Sequence, residues 1–234
     1  MSNQWKALFL DLDNCLIDRD AAFKAMLHEL FDDLSEETWN EIAAVDNHAY
    51  CDRWKFSEWF IQRFPKLEIW RELSKDAELH SLTDFFYQYQ IKNISCSLKP
   101  AGEKLLLLLE ELSTQFELVL VSNGGSINQR SKLKNARLNR FFTEDRLFIS
   151  AEYKSKKPEA AFFELILDSK KWTVEDVLMI GDDPINDIKG AGDLGIDTCW
   201  ISMGRSFPLH LNAPDFCIDR FVDFKLDKKR MLCQ

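Results

Sequence analysis

From residue 97 onward the chain alternates short apolar runs with helical stretches, and this alternation constrains the fold more than any other feature. Apolar runs over residues 116–121, 147–150, 177–180 and 198–201 read as buried strands. The segments between them, opened by Pro100, Ser126, Pro158 and Pro184, read as helices ending near residues 111, 139, 168 and 193. Strand then helix, repeated, implies a parallel sheet wound on both faces, with its ligand site at the carboxyl ends of the strands. Upstream, the run over residues 7–10 ends in Asp11 and Asp13, as expected of a first buried strand. From residue 17 to 95 no comparable strand occurs. Helix-like stretches over 21–34, 36–49, 54–64 and 79–91 carry aromatics at three- and four-residue spacing instead.

The expected architecture is therefore α/β: a doubly wound, Rossmann-like parallel sheet formed by residues 1–16 and 96–234, with an all-helical domain of residues 17–95 inserted after the first strand. Such an insertion would lie over the strand ends. A length of 234 residues suits one domain plus an insert, and no internal repeat or Gly/Ser/Pro-rich linker is present. The net charge of −9 disfavours nucleic acid polymers and anionic membranes as partners. Its distribution is uneven: residues 17–95 hold 16 acidic against 9 basic residues, a net of −7, and the remainder 23 against 21, a net of −2. The longest apolar run, Leu105 to Leu109, is far short of the roughly 20 residues a membrane span needs. The N-terminus has no basic region ahead of a long apolar stretch, so a secretory signal is not expected. Six scattered cysteines, Cys15, Cys51, Cys96, Cys199, Cys217 and Cys233, without C-x-x-C spacing, read as reduced, mostly buried thiols of a cytoplasmic protein.

Four polar segments fall at the expected strand ends. Asp11-Leu12-Asp13-Asn14-Cys15 follows the first strand; two carboxylates pointing the same way repel unless a cation or shared proton relieves them, although an acidic loop capping a helix has the same composition. Ser122-Asn123-Gly124-Gly125 offers donors and a close backbone approach to an anion, or equally a helix cap with a tight turn. Lys157, before Pro158, could aim an ammonium at a phosphate or sit in solvent. Gly181-Asp182-Asp183-Pro184-Ile185-Asn186-Asp187 gathers three acids around one strand end. Mg²⁺ would relieve them, and an acidic first helical turn is the plainer explanation, though it leaves Asp187 without a reason.

In this order the segments resemble the haloacid dehalogenase superfamily: D-L-D-N-C-L matches its first motif, Ser122 the second, Lys157-Pro158 the third and G-D-x-x-x-x-D the fourth. The helical insertion resembles that family's C1-type cap, so the likeness covers nearly the whole chain. It implies a Mg²⁺-dependent phosphatase acting on a small phosphorylated metabolite, because Asp13 is the acid that phosphate-ester hydrolases of the family carry and its dehalogenases lack. Asp11 would be the nucleophile, Asp13 the general acid and base, and Lys157 a charge on both Asp11 and the transferring group. Ser122 and Asn123 would bind phosphate. Mg²⁺ would be held by Asp11, the Asp13 carbonyl and Asp182, with Asp183 competing for that place and Asp187 in support. The first motif is similar in wording to pyrimidine nucleotidases, which favours a nucleoside 5′-monophosphate over a sugar phosphate. The same resemblance admits a phosphosugar mutase, a dehalogenase, a protein phosphatase or a catalytically retired binding module.

Two further regions carry expectations. Trp39, Trp54, Trp59 and Trp70, with Tyr50, Phe56, Phe60 and Phe64, should mostly form the core of the insert, while one or two could face a cleft together with Arg53 and His48. Arg130, Lys132, Lys134, Arg137 and Arg140 lie on one segment without an acid and read as a solvated helix complementing its dipole; Asp227 to Arg230 reads as a tail.

Overall fold

The computed structural model of the chain describes residues 5–48, 53–72 and 79–225. Two compact units emerge, one of Met1–Asp18 with Lys99–Gln234 and one of Arg19–Leu98.

The first unit is a six-stranded, wholly parallel sheet. It begins with β1 (Ala7–Leu10), whose four residues are all buried, as a strand covered on both faces requires. The helical unit intervenes with α1 (Arg19–His28), α2 (Glu36–His48), α3 (Arg53–Arg63) and α4 (Leu79–Ser97). The alternation then runs α5 (Glu103–Ser113), β2 (Glu117–Ser122), α6 (Ser126–Asn135), β3 (Leu147–Ile149), α7 (Ala160–Lys170), β4 (Val177–Gly181), β5 (Asp197–Ile201) and β6 (Phe216–Ile218). Strand order is β3-β2-β1-β4-β5-β6, which places the reversal of winding at β1. Ala7 and Phe9 pack with Val119, Val121, Val177 and Met179 beneath Phe162, Phe163 and Ile166 of α7. On α5, Leu105, Leu109 and Leu112 recur at helical spacing and are buried.

Several details differ from the sequence reading, among them helix ends: the helix from Ser126 stops at Asn135 and the one from Leu79 runs on to Ser97. Pro100 and Pro158 precede their helices, whose N-caps are Gly102 and Glu159. Pro184 does open its helix, but residues Pro184–Lys189 wind as a π-helix before a last turn at Gly190–Gly192. Residues 198–201 are not the last strand: β6 adds to β5, pairing Cys199 with Phe216 and Ile201 with Ile218. Three residues are too few to show a period, so β6 exists through its pairing. Among the described cysteines Cys199 is buried and Cys15 and Cys217 are half-buried, whereas Cys96 is exposed, against expectation; all four are reduced. Cys51, Cys233, Tyr50 and the tail at 227–230 lie outside the described residues, as does the side chain of His48.

The helical unit is built around phenylalanines. Phe23, Phe56, Phe60 and Phe86 are fully buried, with Phe60 and Phe86 stacked at 4.3 Å, while Trp39, Trp54, Trp59 and Trp70 are half-buried around them. Within this core lies a charged network. Asp46 of α2 accepts from Arg19 of α1 and Arg53 of α3, Arg53 also donates to Gln90 of α4, and Gln90 Nε2 donates to Ser57 Oγ at 2.8 Å. Arg53, a candidate cleft residue by sequence, lies with its guanidinium 4.3 Å from the Phe56 ring and serves the core of this unit. Burial alone would push the Asp46 carboxyl up, but Arg19 and Arg53 outweigh it and hold it below the ordinary range. A depressed folded pKa contributes stability that is fully present above the unfolded value of about 3.9 and is lost as pH falls through the lower folded value. Asp46→Asn is therefore expected to cost about 1.5–3 kcal/mol at pH 7, with the gap to wild type narrowing as pH falls through the depressed folded value; denaturant titrations at pH 7 and along an acid series check both.

Candidate functional site

The register of the sheet brings the polar segments to one edge. Leu10 pairs with Leu120 on one side and Ile180 on the other, so the residues that follow β1, β2 and β4 emerge together. The Asp11 amide extends the ladder by donating to the Ile180 carbonyl at 3.0 Å. Lys157 arrives from the loop before α7, and its peptide bond to Pro158 is cis. The Asn123 side chain clamps that loop: its Oδ1 accepts from the Lys157 amide at 3.0 Å and its Nδ2 donates to the Lys157 carbonyl at 2.9 Å. Asn123 is thus engaged through its side chain in joining two loops.

Lys157 is 2% exposed, and its ammonium lies 2.6 Å from Asp11 Oδ1 and 2.6 Å from Asp187 Oδ1. Asp187 is fully buried, and its other oxygen accepts from the Asp183 amide at 3.0 Å. Only a glycine at 181 admits this carboxylate, since a Cβ there would lie 2.1 Å from Asp187 Oδ2. Asp183 caps the helical segment that follows, accepting from the Ile185 and Asn186 amides at 2.8 and 2.9 Å and from Asn186 Nδ2 at 2.7 Å. The Asp182 side chain is 13% exposed; Arg205 Nη2 donates to its Oδ2 at 3.1 Å, and its carbonyl accepts from Trp200 Nε1 at 2.9 Å. Asp11, Asp182 and Asp187 each offer an oxygen within 4.8 Å of the others. Buried oxygen donors with excess negative charge are the chemistry a hard divalent cation takes.

The charges perturb one another strongly. Burial pushes the Asp11 carboxyl up to about 7; Lys157 opposes this, and Asp187 and Asp13 reinforce it. Asp182 is raised by burial and then by Asp187 and Asp11, with Arg205 opposing. Burial alone would lower Lys157, but Asp11 and Asp187 outweigh it and raise its pKa. The Cys15 thiol, which donates to the Ile180 carbonyl behind the loop, is pushed up by burial and by Asp11.

One expectation fails at this site. Lys132 is not a solvated helix cation: it is 5% exposed, with Nζ 2.7 Å from both oxygens of Asp13. Of the other expected cations of the segment, Lys134, Arg137 and Arg140 are exposed, whereas Arg130 is half-buried and donates to Glu144 and Glu152. Sequence reasoning also missed Gln129, whose Nε2 lies 3.1 Å from Asp13 Oδ2 and 2.6 Å from Ser122 Oγ, and it missed Arg205. Gln129 and Lys132 are three apart on a helix leaving the second motif, a spacing that puts both on one face.

A model of the haloacid dehalogenase-like hydrolases matches residues 8–201, from within β1 to the end of β5. The chain belongs to this family. It is 29% identical over 205 residues to the pyrimidine 5′-nucleotidase PynA of Streptococcus pneumoniae, covering 84% of this chain and 83% of that protein. To the N-acylneuraminate-9-phosphatase of Rattus norvegicus it is 27% identical over 218 residues, with 87% and 85% covered. Among solved structures, that of the HAD-hydrolase YfnB from Bacillus subtilis bound to magnesium superposes with a TM-score of 0.71 at 22% identity, covering 93% of this chain and 95% of that one. The family's hydrolase chemistry and the α/β fold are thereby established for this chain.

Proposed function

We propose that this hydrolase is a Mg²⁺-dependent phosphatase that cleaves a small phosphomonoester, a nucleoside 5′-monophosphate ahead of a sugar phosphate, through an aspartyl-phosphate on Asp11. The observation that carries this reading is the buried set of Asp11, Asp182 and Asp187 around Lys157, with Asp13 tied to Ser122 through Gln129. The relatives named for nucleotide and sugar-phosphate hydrolysis support the substrate class.

Asp11, the Asp13 carbonyl and Asp182 would hold Mg²⁺. Support for Asp182 over Asp183 comes from the latter's carboxylate, which is spent on capping, and Asp187 is held between Lys157 and the Asp183 amide. When bound, the ion would offset the crowding of carboxylates and the charge on the phosphoryl group. With Oδ1 of Asp11 held by Lys157, its Oδ2 attacks phosphorus in line, and the bond from phosphorus to the ester oxygen breaks. Asp13 gives that oxygen its proton, then takes a proton from the water whose oxygen attacks the aspartyl-phosphate; inorganic phosphate leaves and Asp11 is restored. Lys157, the Ser122 hydroxyl and the Asn123 amide bind the phosphoryl oxygens throughout. The Ser122 hydroxyl suits this role because its oxygen accepts from Gln129, which turns its own proton outward.

A panel of nucleoside monophosphates, sugar phosphates and p-nitrophenyl phosphate with Mg²⁺, scored for released phosphate, tests the proposal. Phosphate release that stops on adding EDTA is expected. An isomerised ester in place of free phosphate, or no turnover of any member, would sink it.

A further inference from the structure

The helix α6 delivers two side chains to the back of the site that no strand-end motif contains. Lysine is almost never fully buried unless paired, and Lys132 is buried with its ammonium 2.7 Å from both oxygens of Asp13, so that neither oxygen can turn independently. Replacing such a buried pair with apolar groups is often neutral or stabilising, so stability alone is a poor reason for its presence. Gln129 is fully buried, and its Nε2 reaches Asp13 Oδ2 at 3.1 Å, Ser122 Oγ at 2.6 Å and the Asn123 carbonyl at 3.2 Å. Its Oε1 is buried without a hydrogen-bond partner. Rotating the amide would set that oxygen against the Asp13 carboxylate, so the side chain gives up its acceptor to keep its donor on Asp13 and Ser122. The phosphate loop closes over it: Gly124 has φ +144°, and a Cβ there would lie 3.1 Å from Gln129 Cδ.

Resting on the phosphatase reading, we propose that Lys132 and Gln129 are positioning residues. Lys132 sets the Asp13 carboxyl against the leaving oxygen, and Gln129 holds Asp13 and Ser122 in one register, so that proton transfer and phosphoryl binding are aligned. Neither residue touches the substrate. A displacement of about 1 Å in such a group costs about 10²-fold in rate.

The test uses the leaving group. p-Nitrophenolate departs without a proton, whereas an alkyl alkoxide needs one from Asp13. Lys132→Met should lower kcat/KM on an alkyl phosphate about 10²-fold and on p-nitrophenyl phosphate far less. Lys132→Arg, which keeps the charge, should show the same selectivity with a smaller loss. Gln129→Leu should lower kcat/KM on both esters, because Ser122 loses its partner, and further on the alkyl ester, whose leaving oxygen needs the Asp13 proton. Beryllium fluoride, a mimic of the phosphoryl group on Asp11, should bind Lys132→Met with unchanged affinity by calorimetry in the presence of Mg²⁺. Equal losses on the two esters, or wild-type rates in Lys132→Met and Gln129→Leu, overturn the positioning role while leaving the phosphatase reading intact. A wild-type protein that turns over neither ester overturns both.

Discussion

Asp11→Asn is expected to abolish turnover and, in the metal-free protein above neutral pH, to raise the melting temperature. Loss of an attacking side chain that nothing else replaces should reduce kcat by at least about 10⁴-fold. The gain in stability follows from the charge balance. Asp11 and Asp187 share the Lys157 ammonium, and Asp182 lies within the same 4.8 Å group, so one buried cation faces more than one carboxylate. Burial, opposed by Lys157 and reinforced by Asp187 and Asp13, raises Asp11 from 3.8 to about 7. Between those values Asp11 binds more protons in the native state than in the unfolded chain, so its contribution to stability falls as pH rises from about 4 to about 7 and is constant above. Asparagine does not titrate. The variant should therefore melt above wild type at pH 8 in EDTA, by about 2–4 °C for each kcal/mol relieved, with a smaller gap at pH 5. Added Mg²⁺ should restore wild type through mass action. Differential scanning calorimetry at both pH values, beside a phosphate-release assay, checks the two halves. Residual wild-type-like turnover would reject Asp11 as nucleophile, and a variant melting below wild type at pH 8 would reject the charge argument.

Lys157→Met has the opposite effect on the fold. It removes the cation that Asp11 and Asp187 share and leaves buried carboxylates unpaired, which costs about 3–5 kcal/mol. Activity should disappear with it, because the transferring phosphoryl group loses the same charge. The sign with pH is fixed by the carboxylates: at pH 5 they can take up protons in place of the lost ammonium, so the deficit should be smaller there than at pH 8. The double variant Lys157→Met/Asp187→Asn should recover part of the stability and none of the activity. Urea unfolding at the two pH values measures this, and a Lys157→Met protein as stable as wild type at pH 8 would show that Lys157 does not carry the charge balance.

The two expectations that depend on Asp11 and Lys157 can be framed from sequence because Asp11 stands at a strand end that periodicity locates and Lys157-Pro158 matches a family motif. An apolar run closed by acids has a position in a parallel sheet before any coordinates exist. Lys132 was misread for the same kind of reason. Its neighbours Lys134, Arg137 and Arg140 are solvent cations, and nothing in the local pattern separates it from them. Its partner Asp13 is 119 positions away, and only packing of α6 against the β1 loop makes the pair. Arg205 on Asp182, and the capping role that occupies Asp183, were hidden likewise.

By itself the sequence determined the class of fold, the winding of the sheet and the helical insertion, because these follow from local periodicity and from rules on how strands connect; the chemistry expected at the strand ends came from the resemblance of its four motifs to a known family. Tertiary structure alone decided which carboxylate each cation neutralises, which acid is spent on a helix cap, and that a three-residue sixth strand extends the sheet. Those outcomes depend on burial and on pairings across long sequence distances, where the energy of a charge is set by what surrounds it and not by its neighbours in the chain.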